Sequence, residues 1–321
     1  ELLDNGKVLL LGGSGLGAEV YDPGTGTSTT LTTLFSRSQS AVTTRLADGK
    51  VLIIGGPDPN AEIYDPVHGT FTETTGPPKQ REYPAATLLG DGTVLITGGK
   101  YIVDSQTGER ADRTDAELFD PVTSTFSTLP TSLSHIRHGH TATLLQDGRV
   151  LIVGGSRLTS PGYAENVYVS ELYDPVAQTF SDAAETTSGY SAERATLLQS
   201  GKVLVTGQAP FGELFDPIAN TFSRTGDLWN QRAAHSATLL ADGRVLIAGG
   251  VHSPQGTAVT VDFAEVFDPS LGMFVTAGSM GAPRQQHAAV LLPDGRVLVL
   301  GGYDFAVGGD RNTAETFDPG G

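Results

Sequence analysis

The sequence predicts an all-β chain folded as a β-propeller of seven four-stranded antiparallel blades. Three observations carry that prediction. A Gly-Gly pair recurs along the whole chain, at Gly12-Gly13, Gly55-Gly56, Gly98-Gly99, Gly154-Gly155, a degenerate Gly207-Gln208, Gly249-Gly250 and Gly301-Gly302. An Asp-Gly turn between two apolar runs precedes most of these pairs, and an Asp-Pro turn follows every one. The spacing of 42 to 56 residues is that of propeller blades, in which each unit of four strands must stack on its neighbours to bury both faces.

The four strands of a unit, A to D, follow in order. Strand A reads like "SATLL" and runs into turns such as "ADGK" (47 to 50), "QDGR" (146 to 149) and "PDGR" (293 to 296). Asp-Gly here is a hairpin signal, because the tight turn needs positive φ, which Gly and Asp tolerate. Strand B, as in "RVLIV" or "KVLII", is an unbroken apolar run and predicts burial on both faces. Strand C is the "AEVYDP" element, ended by a Pro that cannot donate to the ladder. Strand D opens on Thr-Phe, as at Phe71, Phe126, Phe180 and Phe222. Unit 1 lacks nearly all of strand A and unit 7 stops before strand D, so an incomplete seam is expected, with sequence beyond Gly321 supplying the missing inner strand. Residues 1–321 are read as a single domain.

The formal charge of -16, with 5 Lys beside 15 Arg, argues against a nonspecific grip on nucleic acid or anionic membrane. The absence of Cys excludes disulfides, thiolate metal sites and a cysteine nucleophile. No apolar run is long enough to insert in a membrane.

The Arg before strand A, the apolar strand, the Gly-Gly, the Glu-x-Tyr/Phe-Asp-Pro and the following aromatic together resemble the kelch repeat, over essentially the whole chain. The resemblance implies a propeller, but not one function, since kelch-like propellers include galactose oxidase relatives, sialic acid mutarotases, glutaminyl cyclase-like enzymes and peptide-capturing adaptors. Phe stands where the kelch strand D has Trp. Wording such as "DGRVLIAGG" and "AELFDP" is similar to bacterial surface or secreted kelch proteins, which implies an extracellular or cell-surface protein. Galactose oxidase chemistry requires copper and a Tyr cross-linked to Cys, which this chain does not contain.

Alternating strand directions put the starts of A, the ends of B and the starts of C on one face. The B–C connections there are short in units 1, 2 and 5 and long in units 3, 4, 6 and 7, at 100 to 115, 156 to 169, 251 to 263 and 303 to 313. Long loops on a rigid scaffold carry function, which points to Tyr101, Tyr163, His252 and Tyr303. An Arg recurs eleven residues before the turn Gly, as Arg81, Arg137, Arg232 and Arg284, with Arg37 one residue further out and Tyr190 replacing it in unit 5. Two readings compete. The row rings a channel mouth and forks onto an anionic ligand, or each Arg bridges the Glu that recurs in strand C (Glu62, Glu117, Glu171, Glu213, Glu265, Glu315) and staples the blades. The structural role is favoured for most of the Arg. Tyr190 and Gln208 depart from the repeat in the same unit and face, which suggests a local adaptation.

His138 and His140 share a strand face and form a candidate divalent-metal pair, although His140 shares a repeat register with His235 and His287, which argues for packing. No nucleophile elbow, phosphate loop or zinc-protease helix is present. The expectation is a monomeric, exported, noncatalytic propeller without a cofactor that recognises a peptide, protein or glycan through the long B–C face. The alternative is a carbohydrate-active lyase, epimerase or metal-dependent oxidase with Arg, His and Tyr at the channel mouth.

Overall fold

The computed structural model describes residues 1–12, 17–35, 40–56, 58–74, 79–160, 163–188, 194–253 and 256–318. It is an all-β propeller of seven antiparallel blades, five of which have four strands in the order A-B-C-D among the described residues. The first blade has B, C and D (Val8–Gly12, Gly17–Asp22, Thr27–Leu31), and the seventh has A, B and C (Ala288–Leu291, Val297–Leu300, Ala314–Phe317).

The chain divides into two compact units. Glu1–Ala183 holds blades 1 to 4 and Ala184–Gly321 holds blades 5 to 7. In the first, strand B of blade 2 (Val51–Gly55) shows why these runs are unbroken. Val51 and Ile53 pack with Leu9, Val20 and Tyr64 toward blade 1, while Leu52 and Ile54 pack with Val94, Ile96 and Phe119 toward blade 3. The pleat sends alternate residues to opposite faces, and both faces meet a neighbour. The second unit repeats this, with Val245 and Ile247 against Leu204 and Leu198, and Leu246 and Ala248 against Val297 and Val299. Each such side chain contributes on the order of 2 kcal/mol.

Strands C and D are joined by one tilted aromatic pair per four-stranded blade, with centroids 4.9 Å apart for Tyr64–Phe71 and 4.8 Å for Phe119–Phe126. Such a pair adds about 0.5–1.5 kcal/mol beyond its buried area. Strand D needs no Trp because Phe fills this position.

The Asp-Gly turns differ from the expectation in one respect. Only the Gly takes positive φ (83° at Gly49, 87° at Gly148), and Leu46 N–H closes onto Lys50 O around a three-residue loop. The Asp stays in ordinary φ because its carboxylate accepts the N–H two residues on, at 3.1 Å from Lys50 N and 3.0 Å from Arg149 N. It caps the turn and does not bend it.

The long B–C connections are hairpins. Blade 3 carries Lys100–Asp104 paired with Glu109–Asp112, and blade 4 carries Ser156–Ser160 with Tyr163–Asn166. Blade 6 carries Val251–His252 with Val259–Thr260, and blade 7 carries Tyr303–Asp304 with Gly309–Asp310. The D–A connection of the same blade pairs alongside, through Glu82–Lys100, His138–Ser156, Ala233–Val251 and Gln285–Tyr303.

Candidate functional site

The repeated Arg and His are locked into the scaffold. The Arg137 side chain is fully buried against the equally buried Glu171 at 2.9 Å, and also donates to Gly154 O (3.0 Å) and Val169 O (2.7 Å). Arg81 does the same with Glu117, Gly98 O and Asp115 O, Arg232 with Glu265, Gly249 O and Phe263 O, and Arg284 with Glu315, Gly301 O and Thr313 O. Each guanidinium therefore ties the end of strand B, the start of strand C and the strand C Glu of one blade to the incoming connection. The Glu also anchors that connection's backbone, accepting from Ser134 N–H on Glu171, Trp229 N–H on Glu265 and Thr187 N–H on Glu213. Burial lowers Arg232 to about 10 and raises Glu265, with the ion pair opposing both shifts.

The staple acts within a blade. Contact between blades runs through the Arg main chain, since Gly99 N–H donates to Arg137 O at 2.9 Å and Gly250 N–H to Arg284 O at 2.8 Å. This explains the Gly-Gly. A Cβ on Gly98 would lie 2.4 Å from Arg137 O and 2.6 Å from the His140 ring, and one on Gly249 would lie 2.5 Å from Arg284 O.

His140, His235 and His287 complete the joint. Their Nε2 atoms meet Thr97 Oγ1 (2.8 Å), Thr206 Oγ1 (2.8 Å) and Ser236 Oγ (2.9 Å) of the preceding blade, and their Nδ1 atoms are buried. Burial and nearby Arg charges push His140 and His235 well below the usual imidazole range and His287 to about 3. All three are neutral structural groups.

The metal pair does not converge. His138 turns to Asp112 (Nδ1 to Oδ1, 2.7 Å) while His140 turns to Thr97, and the described residues contain no group of three or more His, Cys, Asp or Glu placed to share an ion. Arg37 and Tyr190 lie outside the described residues. Gln208 is exposed.

The hairpin face holds the irregular residues. On blade 3, Lys100 and Asp112 stand opposite each other, with Ile102 opposite Arg110 on the same side of the ribbon. Arg110 forks onto Glu82 (2.8 and 3.4 Å), and the Lys100 ammonium lies 4.9 Å over the Tyr83 ring. Tyr101 points to the other side and is covered by Arg113 at 4.3 Å. Asp112 also accepts Leu158 N–H of the blade 4 hairpin, so one carboxylate joins two hairpins. Tyr163 at that hairpin's tip is 72% exposed.

Blades 6 and 7 have their own version. Asp304 is buried between Thr260 of the blade 6 hairpin (2.5 Å) and Arg311. Burial pushes its carboxyl up, but Thr260, Ala306 N–H and Arg311 more than reverse this, leaving it below the usual carboxylate range. Tyr303 packs edge-on to Phe305 at 5.3 Å, and His252 Nδ1 donates to Gln231 O at 2.7 Å. Trp229, the sole Trp of the chain, projects 78% exposed from the blade 6 connection while its N–H is held by Glu265.

Sequence reading missed Tyr83, Asp304 and Trp229, and took Asp112, with Asp104 and Glu109, for an exposed turn acid, whereas its side chain is buried. A signal existed for the hairpins, because "DSQTGE" and "DFAVGG" repeat the Asp-x-x-x-Gly of the C–D turn "DPVHGT". The opposite end of the blades carries Val67, Val122, Val176 and Ile218, each at least 85% exposed at a C–D tip. Single aliphatic side chains, one per turn, are ordinary surface.

Among solved structures the chain is similar to YjhT, with a TM-score of 0.66 and 15% identity over 86% of this chain and 93% of that one. It is also similar to a fungal alcohol oxidase of the AA5 family in complex with copper, with a TM-score of 0.75 and 16% identity over 98% of this chain and 68% of the oxidase. The chain shares the β-propeller fold of both structures. No family model and no curated protein sequence matches it. At these identities the likeness to the kelch-type structures concerns the fold alone.

Proposed function

We propose that this kelch-type propeller is a noncatalytic binding protein that recognises a peptide, protein or glycan through its B–C hairpins, as an exported monomer. The observation that carries the reading is the contrast in exposure. Repeated Arg and His are buried and committed to scaffold partners, whereas the hairpins and their connections present Tyr83, Tyr163 and Tyr168 on blades 3 and 4 and Trp229, Val259 and Phe305 on blades 6 and 7, each at least 40% exposed. Exposed aromatics on a rigid base are the residues that dominate binding energy. Buried carboxylates at Asp112 and Asp304 stiffen neighbouring hairpins in pairs, which limits the entropy lost on binding.

The alternative, a carbohydrate-active enzyme, draws on the likeness to the alcohol oxidase. Copper held beside a cross-linked Tyr does not fit these residues, since there is no Cys and His138 and His140 face different partners.

The test replaces Tyr163 and Tyr168 with Ser in one variant and Trp229 with Ser in another. Both are expected to unfold within about 0.5 kcal/mol of the parent and to lose at least about tenfold in affinity for a ligand found on combined glycan and peptide arrays. Unchanged affinity in both would refute the hairpin-face reading.

A further inference from the structure

In blades 3, 4, 6 and 7 the connection into strand A contains one residue in the left-handed region. Gly139 (φ 64°), Ala234 (φ 54°) and Gln286 (φ 53°) hold this place in blades 4, 6 and 7, and blade 3 places Tyr83 there (φ 55°). The backbone requires the conformation, because these residues link neighbouring blades, with Gly139 N–H on Tyr83 O (2.9 Å) and Gln286 N–H on Ala234 O (2.9 Å). The fold does not require an aromatic side chain at this place. A bulky side chain there costs free energy that Gly would avoid, and Tyr83 is 40% exposed, so packing does not repay it. Gln286 bears the same cost while exposed, so what sets Tyr83 apart is its aromatic ring.

Its surroundings have matching chemistry. Glu82 pairs with Lys100, which places the Lys100 ammonium over the Tyr83 ring. Lys100 stands directly opposite Asp112, and Asp112 holds His138 Nδ1 at 2.7 Å. A carboxylate on Nδ1 favours the proton there, which in the neutral ring leaves Nε2 as the acceptor. Nε2 has no hydrogen-bond partner among the described residues, and the His138 side chain remains 14% exposed. The next residue is Gly139, whose backbone N–H donates to Tyr83 O at 2.9 Å and so brings this turn beside Tyr83.

We propose that Tyr83, Lys100 and the Asp112–His138 pair form a saccharide-binding site at the strand A end of blades 3 and 4. A sugar hydroxyl donates to His138 Nε2, a neighbouring hydroxyl oxygen accepts from Lys100, and the apolar C–H edge of the ring lies against Tyr83. A hydroxyl both gives and takes a hydrogen bond, which this acceptor and donor pair demands. A peptide added as a further strand would need a free edge, and the Lys100 strand is already paired on both sides, with Glu82 and with Asp112. Asp112 is a positioning residue, acting through the His138 tautomer. This inference rests on the hairpin-face reading and narrows its ligand.

The experiment probes the full chain on a printed array of neutral and acidic oligosaccharides beside a peptide array, in parallel with Tyr83→Gly, His138→Ala and Asp112→Asn. The parent is expected to bind a saccharide. Tyr83→Gly is expected to lose at least about tenfold in affinity while melting at the same or a higher temperature, because Gly suits the backbone; a merely structural Tyr would show neither result. In 15N spectra His138 is expected as the Nδ1–H tautomer, shifting toward Nε2–H in Asp112→Asn with loss of binding. Saccharide binding that survives Tyr83→Gly and His138→Ala would overturn this site while leaving the hairpin face standing. Peptide binding without saccharide binding would overturn the ligand class, and binding of neither would overturn this proposal together with the reading it rests on.

Discussion

Arg137 and Arg110 lie at the same end of neighbouring blades, each paired with a Glu, and they illustrate two different uses of one residue type. Arg137 and Glu171 are both fully buried, and the arrangement returns in blades 3, 6 and 7 with the same carbonyl partners. Arg110 and Glu82 are 40% and 10% exposed, and their pairing belongs to the blade 3 hairpin alone. The difference teaches that a charged residue which recurs with its partner from blade to blade serves the ring, whatever its chemistry suggests. One that occurs once, at the rim, is free to serve a ligand. The same contrast separates His140, joined to Thr97 like its counterparts in blades 6 and 7, from His138, joined to Asp112 of the blade 3 hairpin.

Acid should break the scaffold side of this comparison most strongly. The three joint histidines have folded pKa values lowered from about 6.5, so the unfolded chain takes up protons that the folded chain refuses. Their contribution is complete above the unfolded value and is lost as pH falls below it, down to about 3 for His287. Between pH 7 and pH 5 the expected loss from His287 is about 2 kcal/mol, and His140 and His235 add to it in the same direction. Urea denaturation at the two pH values measures it, and His140→Gln should flatten the dependence; a pH-independent midpoint would contradict the neutral-histidine joint.

Next in size is the Arg pair itself. Arg137→Ala leaves Glu171 buried and uncompensated and is expected to cost about 3–5 kcal/mol. Arg110→Ala is expected to cost less than about 1 kcal/mol, as for other solvent-screened pairs. Equal costs in equilibrium unfolding would erase the distinction drawn here.

Much of this was legible in the sequence, and for a physical reason. Strand B runs such as "VLII" and the Arg–Glu rows repeat, and repetition reports what every blade needs. Even the Gly-Gly was readable as a required position, although its cause, the passage of the Arg137 carbonyl and the His140 ring over Gly98, needed the backbone path. Tyr83 was invisible because nothing in "REYPAA" announces positive φ. Asp112 looked like a loop acid, since its partner His138 stands 26 residues away and meets it only when blades 3 and 4 stack. The turn chemistry was half legible: Asp-Gly announced a hairpin, while the role of Asp as a cap emerged from its carboxylate geometry.

The central claim is that the blades hold the ring and the hairpins hold the function. Its most direct measurement replaces the blade 3 hairpin, residues 100 to 112, with the short connection that blade 2 uses between Gly56 and Ala61, and compares melting temperature and array binding with the parent. The account predicts a cooperatively folded propeller that retains its Arg–Glu staples and binds nothing the parent binds through blades 3 and 4. A variant that binds as the parent does, or one that fails to fold, would contradict it.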